Sequence, residues 1–341
     1  MRIEHKQPEK PATLRELAER HKREGAGVIT ENGVTYEPVT VQTLLTRNAN
    51  PGLRHYWSIN PYRGCQFGCT YCFARYTAKF VEMHDPLAFE RRIFYKTNAP
   101  ELARRLRDRD FYGRPVLLGA ATDPWQPAEA RLGLTRGILE ALLRYPSLDL
   151  FAITKSSLVR RDTDLLAKLT AAGRPVGVGF SITTLDIDLA KKMEPQAALP
   201  AERLKAMRTL AEAGITVGLM LMPVVPGLTD SDASIGAVLS AAREHGASFA
   251  RENVLHLRSE PRRRFLPWLA ETYPALTAEY SRTYAEGPFR EEAYRQVIRE
   301  RFAAWHAKLG FAPYEMTHRQ ARKGEQMAFS FERSNITKQS E

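Results

Sequence analysis

Three cysteines, Cys65, Cys69 and Cys72, lie within eight residues, and the chain contains no other cysteine. Their spacing, C-x3-C-x2-C, lets one short loop place three thiolates around three corners of a cubane cluster, for which thiolate sulfur is the usual protein ligand. No fourth thiolate exists to bind the remaining iron. Since an open coordination position distinguishes a catalytic metal site from a closed structural one, the spacing predicts a catalytic [4Fe-4S] cluster.

Two other uses of these cysteines stay open. A histidine such as His55 or His84 would complete a zinc site with three thiolates, and an iron–sulfur cluster can also serve electron transfer alone. Three cysteines cannot form a complete set of disulfides, which fits a reducing compartment.

Repeated β/α units are predicted from Trp57 onward, where short apolar runs alternate with amphipathic segments. The predicted strands are Trp57–Pro61, Val116–Ala121, Leu148–Thr154, Val176–Ile182, Thr216–Val225 and Asn253–Leu257. The predicted helices are Pro100–Arg107, Ala128–Arg144, Asp162–Ala172, Pro200–Ala213 and Asp230–His245, with Asp162 and Asp230 as N-caps. The series predicts an α/β fold, a partial (β/α)6 TIM-like barrel with functional loops at the carboxyl ends of its strands.

Four segments are predicted along the chain. Residues 1–50 form an N-terminal extension, 51–258 the partial barrel, 259–320 a helical C-terminal segment, and 321–341 a largely disordered tail. The C-terminal segment is expected to close the open side of the barrel with helices over Phe265–Leu269, Ala275–Tyr284 and Glu291–Leu309.

The residues around the cysteines carry a resemblance to a known family. Tyr71 precedes the third cysteine, and C-x3-C-x-aromatic-C resembles the signature of the radical S-adenosylmethionine (SAM) superfamily. The longer stretch NPYRGCQFGCTYCFAR, followed by KTNAP at Lys96–Pro100 and TDPWQPAE at Thr122–Glu129, resembles the branch related to spore photoproduct lyase, called DNA-repair-photolyase-like. The likeness covers about Ile59 to Arg258.

The resemblance implies a cofactor chemistry. The three cysteines would hold a [4Fe-4S] cluster, and the amino and carboxylate groups of SAM would chelate its fourth iron. One electron from the reduced cluster would break the S–C5′ bond of SAM and give a 5′-deoxyadenosyl radical, which abstracts hydrogen from the substrate. An external electron donor of the flavodoxin or ferredoxin type is implied as a partner.

The resemblance also assigns SAM contacts to residues at or near the strand ends: Tyr71, Thr122, Asp123, Lys155, Ser181, and Arg203 with Glu194. Thr122 and Asp123 are expected near the amino group of SAM, Lys155 at its carboxylate and Ser181 at its ribose. Trp125 is expected to stack on adenine or on an aromatic substrate.

These residues also have ordinary structural interpretations. Asp123 precedes a proline and is a common turn opener. A lysine at the exit of an apolar strand is costly unless it meets an anion, which favours the SAM carboxylate; the alternative is that Lys155 is an ordinary solvated lysine. The hydroxyl of Ser181 can bond neighbouring backbone, and Glu194 with Arg203 can be a surface ion pair.

One residue of the related lyase is missing. Spore photoproduct lyase uses a cysteine near the end of its second strand to return a hydrogen atom to the thymine product radical, whereas this chain has Gly119-Ala120-Ala121 there. We therefore do not expect thymine-dimer reversal of the known kind. Tyrosine is another hydrogen donor, but the sequence does not single out one of its 13 tyrosines.

The charge balance bears on partners. Fifty Lys and Arg against 39 Asp and Glu give a net charge of +11, which favours phosphate-bearing partners if the excess is concentrated on one face, and otherwise means a scattered basic surface. Arg258 with Arg262, Arg263 and Arg264 is a candidate phosphate-contacting rim. The chain starts without an apolar signal segment, and no apolar run is long enough to span a membrane, so we expect a cytoplasmic protein with no membrane partner.

The leading hypothesis is a radical SAM enzyme, of lyase or transferase type, that acts on an unidentified substrate, with DNA or RNA as candidates. A second hypothesis is a non-catalytic nucleic-acid-binding protein with a structural zinc or iron–sulfur loop. A third keeps the radical chemistry but places it on a peptide or metabolite.

Overall fold

The structure, a computed structural model, describes residues 28–47, 56–81, 85–285 and 287–313. The predicted tail, most of the predicted N-terminal extension, and the two histidines proposed as zinc ligands lie outside these residues. The strands are β1 (Ile29–Glu31), β2 (Val34–Val39), β3 (Thr46–Arg47), β4 (Trp57–Ile59), β5 (Tyr62–Arg63), β6 (Arg92–Lys96), β7 (Val116–Leu118), β8 (Leu150–Thr154), β9 (Val176–Ser181), β10 (Thr216–Val224) and β11 (Phe249–Val254).

Helices connect and cover the strands. The α-helices are α1 (Ala88–Arg91), α2 (Ala99–Arg104), α3 (Pro127–Leu132), α4 (Leu134–Leu142), α5 (Thr163–Ala171), α6 (Ile187–Met193), α7 (Pro200–Glu212), α8 (Asp232–Glu244), α9 (Ser259–Thr272), α10 (Thr277–Thr283) and α11 (Glu292–Lys308). Short 3-10 helices span Phe73–Val81, Asp108–Phe111, Ser157–Asp162 and Pro274–Leu276.

Six parallel strands form the sheet that positions the cysteine loop. Their order is β11-β10-β9-β8-β7-β4, and every neighbouring pair is parallel. The short β3 adds antiparallel to β4 at one edge, and the two edge strands of this sheet, β3 and β11, do not pair with each other. The predicted α/β fold, a partial TIM-like barrel, is confirmed.

Five of the six predicted strands are found in place, while the last is displaced. The prediction Asn253–Leu257 is wrong in its start, because β11 begins at Phe249. The strand reads FARENV, and its charged residues Arg251 and Glu252 interrupt the apolar run that would have identified it.

Two predicted helix features are also corrected. The helix predicted over Ala128–Arg144 is two helices, because Gly133 between them has φ +62 and ends α3 in a left-handed residue. Asp230 is not the N-cap of α8; Ser231 is, and its hydroxyl accepts a hydrogen bond from the Ser234 backbone N–H at 3.1 Å.

A second sheet, not predicted from the sequence, lies beside the first. Its order is β1-β2-β6-β5, with β2 parallel to β6 and β5 antiparallel to β6. Because β5 leads directly into the cysteine loop, part of the predicted N-terminal extension belongs to the framework that supports the loop. The strands were missed because they are short and carry charged or polar residues.

Large side chains from neighbouring strands fill part of the interior of the partial barrel. Glycines on the same strands leave space for these side chains. A Cβ added to Gly218 would lie 2.3 Å from the Phe249 ring, and one added to Gly179 would lie 2.7 Å from Met220 Cγ. Leu117, Phe151, Met220 and Phe249 form this packed interior. Met220 is therefore a core residue.

The C-terminal helices have two different partners. Helix α11 packs on α8 and β11, so closely that a Cβ on Gly236 would lie 2.4 Å from the Trp305 ring. Helix α9 packs on the 3-10 helix that follows the cysteines. Across the described residues, no helix combines the length and apolar character needed to cross a bilayer.

Candidate active site

Two glycines shape the loop that carries the cysteines. Gly64 has φ +84 and Gly68 has φ +64, in the left-handed region that favours glycine. A Cβ on Gly64 would lie 2.5 Å from the Arg92 carbonyl oxygen. This close approach lets the Cys65 backbone N–H donate to the Phe89 carbonyl at 3.0 Å, which joins the loop to the residues before β6.

Side-chain amides and a hydroxyl fasten the loop to the segment after β7. Thr122 Oγ1 donates to the Gly64 carbonyl at 2.6 Å, and Gln126 Nε2 donates to Thr122 Oγ1 at 3.0 Å. The Gln66 backbone N–H donates to Gln126 Oε1 at 3.0 Å. Thr122, predicted to contact SAM, thus uses its hydroxyl proton to hold the cysteine loop.

A buried arginine holds the middle of the loop. Arg75 Nη2 donates to the Cys69 carbonyl at 2.9 Å and lies 2.6 Å from Glu90 Oε2. Arg264 of α9 reaches the same carboxylate, with Nε 3.6 Å from Glu90 Oε1. A chain of charges therefore connects the C-terminal helical segment to the cysteine backbone.

The three thiols lie near one another in a mostly buried setting. Cys65 and Cys69 are buried and Cys72 is partly exposed. Burial, together with the nearby Asp123 and Cys72, raises the pKa of Cys65 to about 12. Burial also raises the pKa of Cys69, which Cys65 and Cys72 raise in addition. Since ionised thiolates would repel one another here, a bound cation or metal cluster is needed to hold all three in the ionised state.

The donor set fits an iron–sulfur cluster. In the part of the chain that the structure describes, no three His, Cys, Asp or Glu side chains converge closely enough to hold a single metal ion. The thiolates of a cubane bind different irons and need not converge on one point. Cys65, Cys69 and Cys72 would be its ligands.

Lys155 is a cation whose charge acts on Cys69. Burial raises the pKa of Cys69 and the charge of Lys155 opposes that rise. The Lys155 ammonium lies 5.5 Å from the centre of the Tyr71 ring. Within the described residues it forms no ion pair or hydrogen bond, so this charge remains available to an anion beside the cysteine loop.

The buried ion pair between Glu194 and Arg203 holds the Tyr71 hydroxyl in place. Tyr71 donates its hydroxyl hydrogen to Glu194, and Arg203 donates to the same carboxylate. Both members of the pair are 1% exposed, which rules out the surface ion pair considered from the sequence. Burial opposes ionisation of Glu194, but the charges of Arg203 and Lys155 outweigh it and lower the carboxyl pKa.

Arg203 is placed differently from a direct cofactor contact. Its Nη1 donates to the Ser181 carbonyl at 2.8 Å and its Nε to the Ala198 carbonyl at 2.6 Å. With its third nitrogen on Glu194, the guanidinium has protein acceptors on every side. Arg203 therefore positions Glu194 and the end of β9. Ser181 itself is buried at that strand end.

Asp123 braces two strand ends. Its carboxylate accepts from Thr154 Oγ1 at 2.8 Å, from the Lys155 backbone N–H at 2.7 Å, and from the Trp125 backbone N–H at 2.9 Å. The last bond is that of an aspartate turn, so the turn interpretation is correct. The other two bonds fix the position from which the Lys155 side chain extends.

Trp125 is not available for stacking on a ligand. Its side chain is 0% exposed and belongs to the main core. Its indole Nε1 donates to Asp162 at 2.8 Å. Asp162 also accepts from Arg136 and Arg161, and no capping bond from its side chain to the helix backbone is found. The expectation of a stacking tryptophan is wrong.

The structure brings most of the predicted residues to one edge of the sheet. Tyr71 belongs to the cysteine loop itself, while Asp123, Lys155 and Ser181 lie beside the loop at the carboxyl ends of β7, β8 and β9. The supporting residues that the sequence analysis missed are Gln66, Arg75, Glu90 and Gln126. Arg75, three residues after Cys72, was quoted only as part of the motif.

Comparison with known proteins identifies the family. The model of the radical SAM superfamily matches residues 59–235. An uncharacterised protein of Mycobacterium tuberculosis (strain H37Rv) is 35% identical over 283 residues, which are 82% of this chain and 83% of that protein. An uncharacterised protein of Methanocaldococcus jannaschii is 30% identical over 224 residues, covering 66% of this chain and 78% of that protein.

Solved structures share the fold. Spore photoproduct lyase in complex with dinucleoside spore photoproduct superposes with a TM-score of 0.61 at 15% identity, covering 87% of this chain and 92% of that one. A mutant of the same lyase with bound AdoMet and dinucleoside spore photoproduct gives a TM-score of 0.59 at 14% identity, with the same coverage.

Proposed function

The chain belongs to the radical SAM superfamily, and from this premise we propose that it cleaves SAM at a [4Fe-4S] cluster and abstracts hydrogen from a nucleic-acid strand. The observation that carries the first part is the cysteine loop beside Lys155. The observation that carries the second is a row of aromatic side chains next to the same loop.

When bound, the cluster supplies one electron to SAM and so yields the 5′-deoxyadenosyl radical that abstracts hydrogen. The chain's own part is to hold the reactants. Cys65, Cys69 and Cys72 would be the cluster ligands, which leaves one iron without a ligand from this chain among its cysteines. The Lys155 ammonium would hold the carboxylate of SAM by a charge-assisted hydrogen bond.

Contacts with neighbouring residues hold the backbone and the ammonium of Lys155 in place. Asp123 holds the backbone N–H of Lys155, while Tyr71 lies against its ammonium and is held in turn by Glu194. A preorganised cation loses little conformational entropy when the carboxylate binds. Ser181, at the end of the next strand, would face the ribose.

The proposed stacking surface, called the aromatic row, consists of Tyr76, Phe73, His256 and Phe289. The ring of Phe73 lies 6.5 Å from Tyr76 and 6.2 Å from His256, and His256 lies 5.7 Å from Phe289. Phe73 is 49% exposed and Phe289 46% exposed.

Exposed aromatic rings beside cations are the usual platform for single-stranded nucleic acid. The guanidinium of Arg295 lies 5.6 Å from the centre of the Phe289 ring. Phe73 directly follows the ligand Cys72, so a base stacked on this row would lie next to the reacting centre. The expected compartment is cytoplasmic, where a flavodoxin or ferredoxin would supply the electron.

The test is SAM cleavage with and without a strand. The protein is reconstituted anaerobically with iron and sulfide, reduced, and mixed with SAM, and 5′-deoxyadenosine is measured. We expect cleavage, and we expect deuterium to pass from a labelled oligonucleotide into 5′-deoxyadenosine. Absence of cleavage with about four irons bound per chain would contradict the proposal and favour a non-catalytic nucleic-acid-binding protein. Cleavage without label transfer would move the substrate to a peptide or metabolite.

A further inference from the structure

Lys96, the last residue of β6, lies at the mouth of the barrel. Its backbone N–H donates to the carbonyl of Pro61 at 3.1 Å. Pro61 lies two residues after the end of β4. Asn60 Oδ1 accepts from the Ala121 N–H, beyond the end of β7, at 2.8 Å. Lys96 is therefore placed at the carboxyl edge of the parallel sheet, from which the cysteine loop also starts.

The pairing of β5 with β6 determines which way Lys96 points. Arg63 pairs with Phe94 in an antiparallel register. Paired residues share a face and side chains alternate along a strand, so Lys96, Phe94 and Arg63 lie on the same side of the sheet. Phe94 belongs to the hydrophobic cluster that contains Cys65 and Cys69. This side of the sheet thus faces the cysteine loop.

Lys96 lies beside a second cation, Arg63. The residue keeps part of its surface open, yet burial, together with the charge of Arg63, lowers the pKa of its ammonium to about 8. Loss of hydration and a neighbouring like charge both disfavour the ionised ammonium. Within the described residues, the ammonium has no hydrogen bond and no carboxylate partner.

Arg63 connects Lys96 to the aromatic row. Its Nη1 donates to the Thr77 carbonyl at 3.1 Å, one residue after Tyr76. The cation pair therefore adjoins the end of the row that begins with Tyr76.

We infer that Lys96, supported by Arg63, binds a backbone phosphate of the strand whose bases stack on the aromatic row. The inference rests on the proposed nucleic-acid substrate and adds the residue that fixes the strand's position. An ammonium with no anionic partner gains a charge-assisted hydrogen bond when a phosphate binds. The next nucleotides along the strand would then lie over Tyr76 and Phe73.

The experiment compares Lys96→Ala with Lys168→Ala in the reconstituted protein. Lys168 is an exposed lysine of α5, on the outside of the barrel. The probe is a fluorescent oligothymidylate of about 20 nucleotides, and anisotropy is measured over a range of salt concentrations. We expect Lys96→Ala to bind roughly tenfold more weakly, with a salt slope smaller by about 0.7, while Lys168→Ala binds like the wild type. Lys96→Arg should retain most of the affinity.

The possible results distinguish failure of the phosphate-binding role of Lys96 from failure of the proposed function. If the wild type binds the probe and Lys96→Ala binds it equally well, the inference is overturned and the proposed function stands. If the wild type does not bind the probe but cleaves SAM, the nucleic-acid substrate fails and the inference fails with it. Loss of reduction by flavodoxin without loss of oligonucleotide binding would assign Lys96 to the electron donor and also overturn the inference. Iron content per chain serves as the check that each variant is folded.

Discussion

The ammonium of Lys155 lies 5.5 Å from the centre of the Tyr71 ring, and the Tyr71 hydroxyl donates to the buried Glu194. This relationship joins the end of β8 to the residue that precedes the third cysteine. It places a fixed positive charge where the proposed function needs a carboxylate to bind.

Lys155→Gln should weaken SAM binding. Removing one charge-assisted hydrogen bond costs about 1.5–3 kcal/mol, which is a roughly tenfold to hundredfold higher Kd. The measurement is isothermal titration of SAM into the reconstituted protein. Lys168→Gln, on the outer face of α5, is the matched control and should bind SAM normally. Equal affinity in both variants would remove Lys155 from the SAM site.

Cys69→Ala should abolish the visible colour of the reconstituted protein together with 5′-deoxyadenosine formation. With two thiolates left, the loop can no longer hold three corners of the cluster. Iron and sulfide analysis checks the result, and the wild type carried through reconstitution without iron is the control. A variant that retains about four irons and full activity would refute the ligand assignment.

Gly64→Ala should impair cluster loading more than a substitution at an equally left-handed but open position. Gly64 has φ +84 and its Cβ would meet the Arg92 carbonyl oxygen at 2.5 Å, whereas Gly173 has φ +76 with no atom within 4 Å. Gly173→Ala should cost only the left-handed conformation, about 1–2 kcal/mol. Gly64→Ala should cost roughly 2–3 kcal/mol more and bind less iron. Similar urea unfolding of the two variants would contradict the close approach.

Glu194→Gln should destabilise the fold strongly. It leaves the guanidinium of Arg203 buried without its anionic partner, and breaking such a pair costs about 3–5 kcal/mol. Glu202→Gln is the control, because its pair with Lys205 is exposed and surface ion pairs contribute little to stability. Urea denaturation measures both. Equal small effects would mean that the buried pair is not a structural requirement.

Asp149→Asn should stabilise the protein more at pH 8 than at pH 5. Burial raises the pKa of Asp149 to about 7, and its Oδ2 has no hydrogen-bond partner among the described residues. A folded pKa above the unfolded value means that deprotonation opposes folding, so the penalty grows as the pH rises toward 7 and is complete above it.

The expected gain is about 1–3 kcal/mol larger at pH 8 than at pH 5. Thermal unfolding of the variant and of the control Asp188→Asn, an exposed carboxylate in the first turn of α6, measures it. A stabilisation that is larger at pH 5 would reverse the sign and contradict the argument.

The parallel sheet was predictable because its strands β7 to β10 are continuous apolar runs separated by amphipathic helices. The cysteine loop was predictable because its three thiol ligands are close together in the sequence, in a spacing typical of cluster binding. By contrast, β2 and β6 pair across more than fifty residues of sequence, and nothing local in their short, partly charged sequences marks the partner. Such pairing depends on tertiary packing rather than propensity.

The role of individual polar residues was harder to predict than their place. Thr122, Asp123 and Arg203 do lie at the cysteine edge of the sheet, but their hydrogen bonds go to the Gly64 carbonyl, the Lys155 backbone and Glu194. Trp125 turned inward to a buried carboxylate. A sequence shows which polar groups follow a strand, but the direction of each side chain depends on distant partners.

The packing of α9 and α10 on the cysteine loop has a consequence for the order of events during synthesis. Phe265, Trp268 and Tyr280 share a hydrophobic cluster with Cys65 and Cys69, which come far earlier in the chain. The pocket around the thiols is therefore incomplete while the ribosome is still making the barrel, since such distant contacts form late. We expect cluster insertion to follow synthesis of α10, so that the scaffold which delivers iron and sulfide meets a nearly complete pocket rather than a partly made barrel.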